Sequence, residues 1–308
     1  MVAPNAAGRR HKPVERRRLG RTGIDASVLG FGGSEIGYQS VSAKTVGRLL
    51  GSALDAGLNV IDTAECYDDS ESLIGKAIGS RRSECHLFTK CGHGPGWRAD
   101  WRPASLRKSI ERSLRRLGTD CVDLVQLHSC SLETLRRGDV IGALEDARTR
   151  GWTRFIGYSG DGAAARYAVE CGRFDTLQTS VSLADQEAIE LTLPLAAARG
   201  MGVIAKRPLA NVAWHYARRP SESYYQDYWE RLRALDYPFL RESAAVSTAL
   251  RFTLSVPGVH TAIVGTTRPE RWEENAALLG AGALAATEFE GIRARWRAVA
   301  GPSWTGQI

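Results

Sequence analysis

Four polar residues follow directly on short apolar runs or close behind one. Asp62 ends Val60-Ile61-Asp62, Lys90 ends Phe88-Thr89-Lys90, His128 ends Val125-Gln126-Leu127-His128, and Tyr67 lies five residues beyond Asp62. Singly, each has an ordinary explanation: a helix cap, a half-buried ring, a solvated ammonium, a hydrogen-bonded core imidazole. Together they are suited to a carbonyl or alcohol oxygen. A phenol of pKa about 10 needs help to exchange a proton near neutrality, and moving it to about 7 takes roughly 4 kcal/mol at ~1.36 kcal/mol per unit. An ammonium about 4 Å from the phenolate supplies about 4 kcal/mol at an effective dielectric of about 20, with burial of the phenol acting in the opposite direction. A carboxylate beside the lysine keeps it charged, and a neutral imidazole can hydrogen-bond the reacting oxygen. The expectation is a tyrosine acidified by Lys90, which Asp62 holds, with His128 at the same oxygen.

Convergence of this kind requires neighbouring elements that end on one side. Eight short runs, Val28–Phe31, Leu58–Ile61, His86–Thr89, Val122–Leu127, Arg154–Tyr158, Thr176–Gln178, Gly202–Ala205 and Thr261–Val264, alternate with amphipathic stretches. Leu106, Ile110, Leu114 and Leu117 are spaced to share one helix face. Gly57, Gly118, Gly151, Gly172 and Gly200 stand where left-handed caps are expected between helix and strand. The alternation predicts an α/β fold. Eight strands fit a closed (β/α)8 TIM barrel better than an open doubly wound sheet, because no Gly-x-Gly-x-x-Gly follows the first run. In a barrel, polar residues at the carboxyl ends of strands face the mouth, which is where Asp62, Lys90 and His128 would meet. Arg16–Leu19 and Ile24–Ser27 flank Gly20–Gly23 and predict an N-terminal β-hairpin closing the other end. After the seventh strand a long βα loop runs from Leu209 to about Ser243. It predicts a helix with a Ser223/Gln226 capping box and with Tyr224, Tyr228, Leu232 and Leu235 on one face.

The 308-residue chain is 43% hydrophobic and 24% charged, which excludes collagen, coiled coil and wholesale disorder. We expect a flexible basic tail over residues 1–13 and a single barrel domain over 14–308, a length that α/β barrels reach as one domain. The net charge of +7 belongs partly to the cluster Arg9, Arg10, His11, Lys12 and Arg16–Arg18. Without a stacking motif or nucleic-acid module, no nucleic-acid partner is expected. No run approaches the ~18–20 apolar residues of a membrane span and no apolar signal core follows Met1, so a cytoplasmic location and no membrane are expected. The six cysteines lack Cys-x-x-Cys spacing and are expected reduced. Cys91 and His93 have no second pair nearby, so no metal is expected.

The segment Asp62-Thr63-Ala64-Glu65-Cys66-Tyr67-Asp68-Asp69-Ser70-Glu71 resembles the Asp-Thr-Ala-x-x-Tyr-Gly-x-Ser-Glu signature of the aldo-keto reductases, with Asp68 in place of Gly. These are NAD(P)H-dependent barrel oxidoreductases. Lys90 and the stretch Leu114–His128 also match, and the similarity covers nearly the whole chain. The resemblance implies Tyr67 as general acid, Lys90 and Asp62 tuning it, His128 orienting the substrate, and hydride from a nicotinamide. It further implies that Ser159 and Gln178 hold the carboxamide, with Gly160 where asparagine is common. Lys206, followed by Pro208 and Leu209, stands where an aromatic ring often stacks on nicotinamide. Gly265, Thr266, Thr267, Arg271, Glu274 and Asn275 match the segment gripping the adenosine side. Helix amino termini favour phosphate and an arginine fork suits a 2′-phosphate, so NADP(H) is the expected cofactor, with a small carbonyl compound or alcohol as substrate. Two other readings exist: a nicotinamide-binding barrel kept for regulation or interaction, and an aldolase forming a Schiff base on Lys90. A lysine held charged by Asp62 is badly prepared for the latter.

Overall fold

The structure, a computed structural model, describes residues 14–307, so the basic tail expected over residues 1–13 lies outside the described residues. The described residues form ten strands: β1 (Arg16–Arg18), β2 (Asp25–Ser27), β3 (Leu29–Gly32), β4 (Val60–Asp62), β5 (His86–Cys91), β6 (Val122–His128), β7 (Thr153–Ser159), β8 (Thr176–Ser180), β9 (Gly202–Lys206) and β10 (Thr261–Gly265). β3 to β10 pair in parallel and close in the order β10-β3-β4-β5-β6-β7-β8-β9, with helices between successive strands. This is the expected (β/α)8 barrel. β1 and β2 form the expected antiparallel hairpin, Arg16 opposite Ser27.

Every barrel strand continues one or two residues beyond the apolar run that marks it in the sequence. The added residues include Asp62, Lys90, His128, Ser159, Ser180 and Lys206. Backbone pairing is indifferent to side-chain polarity, and at a barrel mouth a residue can be paired on its backbone and polar at its tip. Side chains alternate faces with period two along a strand, and this sorts the interior into levels. At the lower level Val60, Phe88, Leu124 and Ile204 pack with Leu19, Ile24 and Ala26 of the hairpin segment. Full burial of each large aliphatic there contributes about 1.5–3 kcal/mol, so the hairpin is an apolar plug. Two residues further along the same strands stand Asp62, Lys90, Gln126 and Lys206.

The outer faces of the strands are covered by helices. In the helix Pro103–Leu117 the stripe Leu106, Ile110, Leu114 and Leu117 is buried as its spacing predicts, and the five expected cap glycines all take positive φ. The long connection holds a helix over Ser223–Leu235. Tyr228, Leu232 and Leu235 are buried, whereas Tyr224 in the first turn is 51% exposed, with its ring under the Arg207 guanidinium at 5.3 Å. The capping box does not form: the Gln226 amide instead donates to the carbonyls of Pro220 and Ser221, at 3.1 and 3.0 Å. Docking is polar at its centre, where the Tyr228 hydroxyl donates to Asp185 at 2.6 Å and Arg231 pairs with the same carboxylate.

Candidate active site

The barrel brings Asp62, Lys90 and His128 to adjacent strand ends. The Lys90 ammonium, 1% exposed, pairs with Asp62 Oδ1 and donates to the Thr63 carbonyl at 2.9 Å. Gln178 Nε2 and Gln126 Nε2 donate to Asp62 Oδ2 at 2.8 and 3.3 Å. Burial pushes the Asp62 carboxyl upward, while the Lys90 charge and the two amides pull it down. A buried ion pair is tolerable only when its remaining polar atoms are satisfied, and here three donors converge on one carboxylate.

Tyr67 lies in the loop between β4 and the helix Ser70–Ile78, and that loop is pinned on both sides. Thr63 N donates to the Phe88 carbonyl at 2.8 Å, Glu65 N to the Lys90 carbonyl at 3.2 Å, and Ser70 N to the Tyr67 carbonyl at 2.8 Å. The buried Glu65 carboxylate accepts from Ser109 and from Arg112 Nε at 2.5 Å, and Glu71 accepts from Thr89 Oγ1 at 2.6 Å. Gly37 approaches so closely that a Cβ there would lie 2.1 Å from the Tyr67 carbonyl oxygen. The Tyr67 ring is set edge-on to His128, centroids 5.7 Å apart, and to Tyr38 at 5.8 Å. Trp97 tilts over the His128 ring at 5.0 Å.

One sequence expectation needs correction. Lys90 Nζ lies 5.1 Å from the Tyr67 ring centroid, but its charge is committed to Asp62. Burial pushes the Tyr67 phenol well above 10, and the Asp62 charge adds to the rise. The shift is therefore opposite to the expected acidification: desolvation outweighs the cation beside the ring. A raised pKa keeps the phenol protonated, as a proton donor must be.

His128 moves the other way. Burial, reinforced by the charges of Lys90, Lys206 and Arg207, holds it well below 6.5, so the ring is neutral. A depressed histidine contributes stability above its unfolded pKa of about 6.5 and loses it as pH falls below that value. Relative to His128→Gln, the wild-type chain should lose up to ~1.4 kcal/mol per pH unit below about 6.5. Urea midpoints at pH 7.5 and 5.5 check this, and parallel shifts in the two proteins would count against a buried neutral imidazole.

Ser159 and Gln178 also reach the mouth, where Ser159 Oγ donates to Gln178 Oε1 at 3.0 Å. At Gly160 a Cβ would lie 2.5 Å from the Tyr158 hydroxyl, so a larger residue there would require that ring to shift. Lys206 does not stand free in the mouth: its ammonium pairs with Asp161 at 2.8 Å and donates to the Gln307 carbonyl at 2.9 Å. Pro208 and Leu209 follow in a turn where Arg207, Ala210, Asn211 and Val212 all have positive φ. Beyond β10, Thr266 Oγ1 accepts from Arg268 N at 3.1 Å, opening the turn into the helix Arg271–Leu278. There Arg271 and Arg268 flank Glu274 at 3.2 and 3.6 Å, Asn275 is buried, and Thr267 Oγ1 reaches Gln39 at 3.5 Å. Gly265 is packed against the Glu35 carboxyl, which a Cβ would meet at 3.0 Å.

Gln126, Glu65 and Glu71 join the site only through their contacts in the folded chain. Two arginines four residues apart on one helix, Arg112 and Arg116, were the available signal for the glutamates, since both reach that loop. Among the described residues, no group of three or more His, Cys, Asp or Glu side chains could hold a metal ion, and no helix is long and apolar enough to cross a membrane.

Comparison with known proteins shows the family and the fold. The family model described as "Aldo/keto reductase family" matches residues 28–297. The L-galactose dehydrogenase of Arabidopsis thaliana is 29% identical over 303 residues, covering 91% of this chain and 90% of that protein. The holo form of the aldo-keto reductase AKR11C1 from Bacillus halodurans superposes with a TM-score of 0.80 at 26% identity, over 94% of this chain and 99% of that one. An aldo-keto reductase from Klebsiella pneumoniae, solved in complex with NADPH, shares the fold at a TM-score of 0.71 and 24% identity, over 95% and 97%. An eight-stranded parallel barrel with this strand-end constellation, matched by the family model over most of its length, belongs to the aldo/keto reductase family of oxidoreductases.

Proposed function

We propose that the protein is an NADP(H)-dependent reductase that converts an aldehyde or ketone to an alcohol, with Tyr67 as the proton donor. The observation that carries this is the edge-on approach of the Tyr67 phenol to the His128 imidazole beside the buried Lys90–Asp62 pair. A carbonyl oxygen held between the two rings accepts a hydrogen bond from each. As negative charge develops on that oxygen, the Tyr67 proton moves to it, and the Lys90 ammonium offsets the charge left on the phenolate. Asp62 and the Thr63 carbonyl fix the Lys90 side chain, and both contacts engage the nitrogen that a Schiff base would need free.

The residues around the mouth fit a nicotinamide dinucleotide. Ser159 and Gln178 offer a hydroxyl and an amide side by side, and Arg268 and Arg271 stand at the start of a helix after a Gly-Thr-Thr turn, a donor set suited to phosphate. Bound there, the reduced cofactor supplies the hydride. The two arginines are solvent-accessible and, among the described residues, paired only with Glu274, so they can turn to a 2′-phosphate. Arg271→Ala should weaken NADPH binding about tenfold, the loss expected for one partly exposed charge-assisted contact, with NADH binding changed less than about twofold. Nucleotide fluorescence titration measures both; equal weakening of the two would remove Arg271 as the 2′-phosphate contact.

Turnover is tested by following NADPH absorbance with a carbonyl panel. Sugar carbonyls belong in it, since one relative is an L-galactose dehydrogenase. NADPH that binds but is oxidised by no member of the panel would favour a regulatory role for the barrel.

A further inference from the structure

Cys66 directly precedes Tyr67, and one contact of its backbone and one of its sulfur fix its place. Its carbonyl accepts from the Tyr38 hydroxyl at 3.1 Å, and that hydroxyl accepts in turn from Trp97 Nε1 at 2.8 Å. Its Sγ lies 3.4 Å from His128 Nδ1, within hydrogen-bond range for sulfur. The thiol is 1% exposed.

We propose that Cys66 is a positioning residue that sets the tautomer of His128: its S–H donates to Nδ1, so the single ring proton resides on Nε2, the nitrogen free to donate to a substrate oxygen. A neutral imidazole has one N–H and one acceptor nitrogen, and whichever nitrogen accepts leaves the proton on the other. Sulfur is a weak acceptor and an imidazole nitrogen a strong one, so S–H to N is the favoured direction. Both groups are neutral: burial pushes the thiol up to about 12 and holds the imidazole well below 6.5. Trp97, Tyr38, Cys66 and His128 thus form one chain, in which the aromatic wall of the niche locates the backbone that aims the sulfur.

The catalytic meaning of this rests on the reductase reading, but the tautomer is a property of the protein alone. It is read from two-bond 1H–15N spectra of histidine-labelled protein without cofactor, with His128→Gln identifying the signals. The wild-type chain should show a protonated Nε2 and an accepting Nδ1. Cys66→Ser, which keeps a donor, should show the same, and Cys66→Ala should show both nitrogens shifted toward an exchanging mixture. Where turnover is measurable, Cys66→Ala should lower kcat about fivefold with NADPH affinity unchanged, and serine should restore kcat to within about twofold. A proton on Nδ1 in the wild-type chain, or an alanine spectrum superimposable on the wild type, overturns the proposal. Absence of turnover with every carbonyl would refute the reductase reading and leave the tautomer result standing.

Discussion

Tyr67→Phe is expected to lower kcat for carbonyl reduction at least 100-fold, the lower end of what a positioned general acid contributes. NADPH affinity should stay within about twofold. The substitution removes one oxygen and leaves the ring beside Tyr38, Trp97 and His128, so unfolding midpoints should barely move. Selectivity for turnover separates a chemical role from a structural one. The raised phenol pKa adds a signature in pH. Because Tyr67 stays protonated through the neutral and mildly alkaline range, wild-type reduction should not lose its proton donor between pH 7 and about 9. An alkaline limb near pH 7 would count against a phenol raised by burial. Turnover retained in the phenylalanine variant would remove Tyr67 as donor altogether.

The architecture was legible because helix and strand periods are local properties of the chain. The run-and-helix alternation marked all eight barrel strands, and the stripe on Pro103–Leu117 marked a helix that covers them. Strand ends were harder to read, since hydropathy falls just where residues such as Lys90 and Ser180 keep their backbone ladders. Asp62, Tyr67, Lys90 and His128 were findable because the barrel rule converts strand ends into spatial neighbours. What the sequence could not show was how charge is shared at the site. Whether a lysine acidifies a phenol or serves a carboxylate depends on which lies within hydrogen-bond distance, and that is set by side-chain geometry. The anchoring of the Tyr67 loop by Glu65 and Glu71 was hidden for the same reason: their partners lie on a helix some forty residues away. The capping box failed through local competition, in which the carbonyls of Pro220 and Ser221 captured the Gln226 amide.

Lys90→Met should destabilise the chain by about 3–5 kcal/mol, the usual cost of leaving one member of a buried ion pair without its partner. Typical domain stabilities are about 5–15 kcal/mol, so that loss should be evident as a large drop in the urea midpoint. Methionine follows the lysine stem and lacks only its terminal nitrogen, hence the penalty is mainly electrostatic: Asp62, 1% exposed, keeps two amide donors but loses its cation. The carboxyl must then take up a proton, a change that favours the folded state as pH falls. The variant should therefore regain stability relative to the wild-type chain between pH 7.5 and 5.5. A second substitution sharpens the argument. Lys90→Met combined with Asp62→Asn removes both charges while keeping an acceptor for the glutamines, and it should recover most of the lost stability. Carbonyl reduction should fail in both variants, because neither has a cation beside Tyr67. That pattern, stability returning without activity, would assign the pair its chemical role as distinct from its structural one. Strict additivity of the two substitutions, or a single-variant loss under about 1 kcal/mol, would mean that Lys90 and Asp62 are not energetically coupled in the folded chain.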